Sequence, residues 1–130
     1  MIVVDNSVLI SALVDAGPTG KACAARLSGE RLAAPAVIDF EALHVLRGLL
    51  LGNKITQPVA DRAARCLPTF PVDRVPTTSL VGRIWELRGN YTAYDAAYVA
   101  LAEQLGAPLV TSDAKMQRAN GARCVVEVIR

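Results

Sequence analysis

Four acidic residues stand where a solvated surface charge would not ordinarily be placed. Asp5 ends the apolar run IVVD and Asp113 ends the run PLVTSD, so each closes a stretch that reads as a buried β-strand. Glu41 and Asp95 lie in helical patterns with apolar residues three and four positions away: Val37, Ile38 and Val45 around Glu41, and Tyr91, Tyr98 and Val99 around Asp95. A carboxylate in an apolar stripe faces a desolvation cost of several kcal/mol, about the energy of several hydrogen bonds, unless positive charge compensates it. Each acid alone has a plainer reading. Asp5 and Asp113 can cap the helices that follow them, Thr92 to Asp95 is a capping-box pattern, and Glu41 can reach Arg47 or solvent. Taken together, two strand-end acids and two helix acids are accounted for more economically by one metal site. Oxygen-only donors select hard cations, which points to Mg²⁺, with Mn²⁺ able to replace it. Asp5, Asp95 and Asp113 are the expected metal ligands. Ser7 and Thr111, each two residues from a strand-end acid, are expected to orient a carboxylate, although either hydroxyl could serve only as a backbone cap. His44 is the only histidine, one turn from Glu41, and is left outside the site because a lone histidine on a largely apolar helix is more often structural.

The elements that must position these residues alternate along the whole chain. Strands are expected at IVVD, near LAAP, at VDRV, PLVTSD and CVVEVI. Helices are expected over SVLISALVDA, TGKACAARLSG, AVIDFEALHVLRGLLLGN with Pro35 at its start and Gly52-Asn53 at its stop, QPVADRAARCL, TSLVGRIWELRGN, TAYDAAYVALAEQLG and AKMQRAN. Strands separated by helices imply a parallel sheet covered on both faces, and such sheets bind ligands at the carboxyl ends of their strands. Asp5 and Asp113 would meet there if their strands are neighbours.

With 130 residues, no linker and no repeat, residues 1–130 are expected to form a single domain. Apolar residues make up 52% and charged residues 20%, a globular profile. Cys23, Cys66 and Cys124 form no CxxC, which disfavours a disulfide framework or thiolate zinc and suits the cytoplasm. No apolar run is long enough for a membrane span, and no targeting segment is evident. The net charge of +2 is uninformative, but setting four clustered acids aside leaves 14 basic residues against 8 acidic, which suits a polyanion. Arg62, Arg65, Arg83 and Arg88 could line its approach, while the few aromatic residues argue against extensive base stacking. The third long helix carries Leu43, Leu46, Leu50 and Leu51 beside its Val37 and Val45 row, more apolar surface than one sheet face needs, so part of it is expected to meet another chain.

At these residues the sequence resembles the PIN-domain family, and within it the small VapC-type toxins of bacterial toxin-antitoxin pairs. VVDNSVLI resembles the opening strand and its Asp-x-Ser turn, FEALHVLRGL the helix with the second acid, and YDAAYVALAEQLGAPLVTSD the most specific stretch. The resemblance implies a three-layer α/β/α sandwich around a five-stranded parallel sheet. It further implies a divalent-metal-dependent endoribonuclease with catalytic Asp5, Glu41, Asp95 and Asp113, an RNA substrate and a small antitoxin partner; a homodimer is equally compatible with the apolar excess of the third helix, and burial of that helix in the protein's own core is the plainer reading. A non-catalytic PIN module binding RNA or a protein is the alternative. A haloacid-dehalogenase phosphatase would want a second aspartate where Ser7 stands, a response-regulator receiver an acid ending the third strand, and a serine hydrolase a GxSxG elbow, which is absent.

Overall fold

A computed structural model describes all residues, Met1–Arg130. Five short strands form one sheet: β1 (Ile2–Val4), β2 (Leu32–Pro35), β3 (Val72–Val75), β4 (Leu109–Thr111) and β5 (Val126–Val128). Their order is β3-β2-β1-β4-β5 and every pairing is parallel, with Val3 opposite both Ala33 and Leu109. The unbroken apolar runs of β1 and β4 follow from this arrangement, since a parallel strand in mid-sheet is buried on both faces. Val3, Val4, Leu109 and Val110 are wholly inaccessible.

Helices α1 (Asn6–Val14), α2 (Pro18–Leu27), α3 (Ile38–Leu51) and α4 (Gln57–Cys66) connect β1 to β2 to β3 and pack on one another. The return connection to β4, through α5 (Val81–Glu86) and α6 (Ala93–Leu105), and the α7 (Ala114–Arg118) link to β5 run the other way along the sheet. Right-handed crossovers in opposite directions place their helices on opposite faces, which gives the three-layer α/β/α sandwich. The order reverses between β1 and β4, and this junction is the switch point at which an open parallel sheet leaves a crevice beyond its strand ends. Helix α6 is its inner wall. Ala96 through Ala102 are all buried, and the four alanines among them allow close approach to the sheet.

Three expectations are corrected. Pro35 does not start α3 but ends β2, where the next backbone donor, Ala36 N–H, already reaches Val75 O at 2.9 Å. The expected helix over TSLVGRIWELRGN is a six-residue α-helix flanked by 3-10 turns at 78–80 and 87–89; only Leu87 of this stretch is buried, too little apolar surface to dock a longer helix. Leu46 does not face outward with Leu43 and Leu51: it is buried in the protein's own core.

The end of α3 is fixed by backbone chemistry. Asn53 takes the left-handed conformation at φ 55°, Lys54 N–H bonds Leu49 O at 2.8 Å and Asn53 N–H bonds Leu50 O at 3.1 Å, the pair of bonds that closes a Schellman turn. Gly20, at the start of α2, sits so close to the end of α1 that a Cβ there would lie 1.8 Å from Asp15 O. Gly20→Ala is therefore expected to lower stability by about 1–3 kcal/mol through overpacking. Gly48→Ala, on α3 where a Cβ meets nothing within 4 Å, should raise it by about 0.5–1 kcal/mol through helix propensity. Denaturant titration of the two variants reads the opposite signs directly.

Candidate functional site

Asp5 leaves β1 with its backbone N–H bonded to Val110 O of β4 at 2.9 Å, so the sheet itself sets its position. It occupies the N-cap position of α1 but makes no side-chain cap bond. Instead its Oδ2 accepts hydrogen bonds from Ser7 Oγ and Thr111 Oγ1, both at 2.7 Å. Ser7 Oγ in turn accepts from Ser112 N–H at 3.1 Å, and Thr111 Oγ1 accepts from Asp113 N–H at 3.0 Å. Two hydroxyls thus lock the end of β1 to the end of β4 through one carboxylate oxygen.

Glu41 enters from the first turn of α3, where Tyr98 OH of α6 donates to its Oε1 at 2.8 Å. Burial and the adjacent Glu41 push the Tyr98 phenol far up, so it remains the donor. Asp95 lies at the third position of α6, and its backbone N–H donates to Thr92 Oγ1 at 3.1 Å, which is the first half of the capping box. Asp113 caps α7, its Oδ1 accepting from Lys115 N–H at 3.0 Å. The capping reading thus holds for Asp113 and not for the Asp5 carboxylate.

All four acids line one cleft of about 580 Å³ at the switch point. None of them takes part in an ion pair. Burial first, then repulsion from neighbouring carboxylates, pushes the Asp5, Glu41 and Asp95 carboxyls above their ordinary values, against the hydrogen bonds from Ser7, Thr111, Tyr98 and Thr92. Such a set of oxygen donors, buried or half-buried and outside any ion pair, fits a hard divalent ion by its chemistry. In this conformation the acids surround the cleft, and no three Asp, Glu, His or Cys side chains close on one ion-sized point.

The arginines expected along the approach lie elsewhere. Arg83 is an internal clamp, its fork on Glu103 at 2.8 and 3.0 Å with a further bond to Gly121 O. Arg88 stacks on the Trp85 ring, and Arg62 and Arg65 are exposed on α4; none of the four lines the cleft. The one cationic side chain that does is Lys54, turned back by the Schellman turn beside an apolar arm of Ile10, Val14, Val45, Leu49 and Ile55. Sequence reasoning missed Lys54, although the Gly-Asn pair that re-aims it is a visible helix stop. It also missed Asn6, which is 7% exposed and whose Oδ1 is buried with no hydrogen-bond partner. His44 is exposed on α3 and does not line the acid cleft.

Raised carboxyl pKa values set the sign of the pH dependence in the absence of metal. The folded chain retains protons that the unfolded chain releases, so stability from these groups is full below the ordinary values of 3.8 and 4.5 and is lost as pH rises through the raised ones. Glu103 and Glu127, held low by Arg83 and Arg26, act in the opposite sense and lose their contribution in acid. Chelated protein is therefore expected to melt highest in mild acid and to weaken toward neutrality. Asp5→Asn should flatten that decline and melt about 2–6 °C above wild type at neutral pH, a difference that closes in acid, as read by thermal melts across pH.

A family profile described as PIN domain matches residues 2–122. VapC ribonuclease Mb0985 of Mycobacterium bovis is 39% identical, covering 99% of this chain and 98% of its own. Ribonuclease VapC1 of Mycobacterium tuberculosis is 35% identical, covering 98% of this chain and 97% of its own. Among solved structures, VapBC2 from Rickettsia felis, bound to a DNA fragment from its promoter, superposes with a TM-score of 0.70 over 100% of both chains at 13% identity, a likeness of fold. With an acid at each strand end of the switch point and full-length relatives of this kind, the chain belongs to the PIN-domain family, among its VapC-type members.

Proposed function

We propose that this chain is a Mg²⁺-dependent endoribonuclease, with Mn²⁺ able to substitute, acting in the cytoplasm as the toxin of a toxin-antitoxin pair. The observation that carries the reading is the cleft itself, four carboxylates at a sheet switch point with no cation in contact, in a chain whose full-length relatives are named ribonucleases. Asp5, Asp95 and Asp113 would hold the ion. When bound, it supplies Lewis acidity toward a phosphodiester and lowers the pKa of water. Ser7 and Thr111 hold Asp5 by Oδ2, so that its rotamer is set before substrate arrives. Tyr98 likewise holds Glu41 by Oε1. That leaves Oε2 to accept the proton of an attacking water, a role suited by a carboxyl whose burial raises its basicity. Removal of that proton by the protein makes hydrolysis independent of the RNA's own 2′-hydroxyl, and the product should carry a 5′-phosphate.

Purified protein is expected to cut RNA with Mg²⁺ or Mn²⁺, to stop in chelator and to remain inactive with Ca²⁺. Asp95→Asn should lower the rate at least a hundredfold and lose the melting-temperature rise that Mg²⁺ gives wild type. A 2′,3′-cyclic phosphate product would sink the water mechanism, and RNA binding without cleavage under any metal would favour the non-catalytic module.

The apolar arm beside Lys54, continuous with the acids, suits a small antitoxin that lays an apolar helix along Val14, Leu49 and Ile55 and directs an arginine or lysine toward Asp5 and Asp95. Self-association into a homodimer belongs to the same reading. Expression of the chain alone should arrest growth and expression with the neighbouring reading frame should not, while Asp5→Asn should be harmless in both. Equal harmlessness of wild type and Asp5→Asn, with no small protein co-purifying, would remove the toxin role.

A further inference from the structure

A second recess opens beside the acid cleft, about 360 Å³ in volume, between the first turns of α3 and α6. Phe40 and His44, one turn apart on α3, stand on one side and Tyr94 of α6 on the other. Asn6, Glu41 and Val45 belong to both recess and cleft, so the two are continuous. We propose that this recess holds an unpaired nucleobase of the RNA, next to the phosphate presented to the acids. The inference rests on the ribonuclease reading.

The aromatic residues carry the argument. Of the six in the chain, Tyr91 and Tyr98 are buried and Phe70 is half-buried in the core. Trp85 is exposed elsewhere with Arg88 stacked on its ring, while Phe40 and Tyr94, 74% and 59% exposed, both fall at this one recess. Nothing in the protein's own packing requires them there. Flat apolar faces open to solvent stack bases of any sequence. A base must be splayed out of a helix to enter, so the substrate at this point is single-stranded. The second observation is Asn6. More than nine-tenths buried in the shared wall, it has a side-chain carbonyl that no protein donor meets. Turned toward the recess, this amide would find a partner in a base edge, and an amide that both donates and accepts distinguishes one base edge from another. A partner helix is the less apt occupant. It needs a long apolar track, which the structure provides on the far side of the acids along Val14, Leu49 and Ile55, whereas this recess is short, aromatic and polar at its base.

The test uses a short single-stranded RNA spanning the cleavage site mapped with wild-type protein, with one base at a time replaced by an abasic ribose. Binding is measured by fluorescence anisotropy to Asp5→Asn, which leaves the RNA intact. One abasic position adjacent to the scissile phosphate is expected to weaken binding about tenfold. The same RNA should bind no worse than its parent once Phe40→Ala and Tyr94→Ala are added. Trp85→Ala, which removes an exposed aromatic outside both recesses, should keep the full tenfold sensitivity. Equal binding of every abasic RNA, or sensitivity that survives loss of Phe40 and Tyr94, overturns the proposal. It is also overturned if these substitutions weaken only the co-purifying small protein, since the recess then serves that partner. If wild type cuts no RNA at all, the ribonuclease reading falls first and takes this one with it.

Discussion

One carboxylate oxygen organises this protein. Asp5 Oδ2 is buried where β1, the start of α1 and the end of β4 converge, and it is held by two hydroxyls and no cation. A buried carboxylate with two neutral donors is only partly compensated for lost hydration. Its neighbours Glu41, Asp95 and Asp113 make matters worse, not better. The remainder of the molecule supplies what keeps such a site from relaxing. Wholly buried strands flank it, Tyr98 and Thr92 hold the helix acids, and the seven-residue buried stretch of α6 lets that helix press against the sheet. Strain of this kind is what the proposed divalent ion would relieve.

The molecule's arginines show where stability is recovered. Arg26 bridges Glu30 and Glu127, Arg74 forks onto Asp39 and also bonds backbone carbonyls at Phe70 and Val72, and Arg83 joins α6 to the segment before β5. Each links segments distant in sequence, and all lie away from the cleft. Positive charge thus fastens the periphery while the centre stays acidic.

Much of this was legible in the chain. An unbroken apolar run ending in an acid announces both a mid-sheet strand and the rim beyond it, so Asp5, Ser7, Thr111 and Asp113 could be placed before any coordinates. Glu41 and Asp95 followed from helical spacing. What escaped depends on contacts between distant segments. The adjacency of β1 and β4 is a property of sheet order, and Arg83 looks like any surface arginine until Glu103, twenty residues on, is folded against it. Leu46 and Leu43 differ only in which side of α3 they occupy. Pro35 reads as a helix opener because strands seldom end on proline. Asn6 carries no signal of its own, since an asparagine after a strand-end aspartate is ordinary turn chemistry until its surroundings are dry.

The order in which the site comes together has a consequence during synthesis. β1 comes before the other four strands in the chain yet is the middle strand of the finished sheet, and Thr111, which closes the lock on Asp5, follows 106 residues later. No partial chain lacking β4 can hold Asp5 in place or bring Asp113 beside it. A polypeptide that stops before β4 therefore cannot assemble the acid cleft, however long its N-terminal portion has had to collapse. The four acids share one cleft only once β4 has been made.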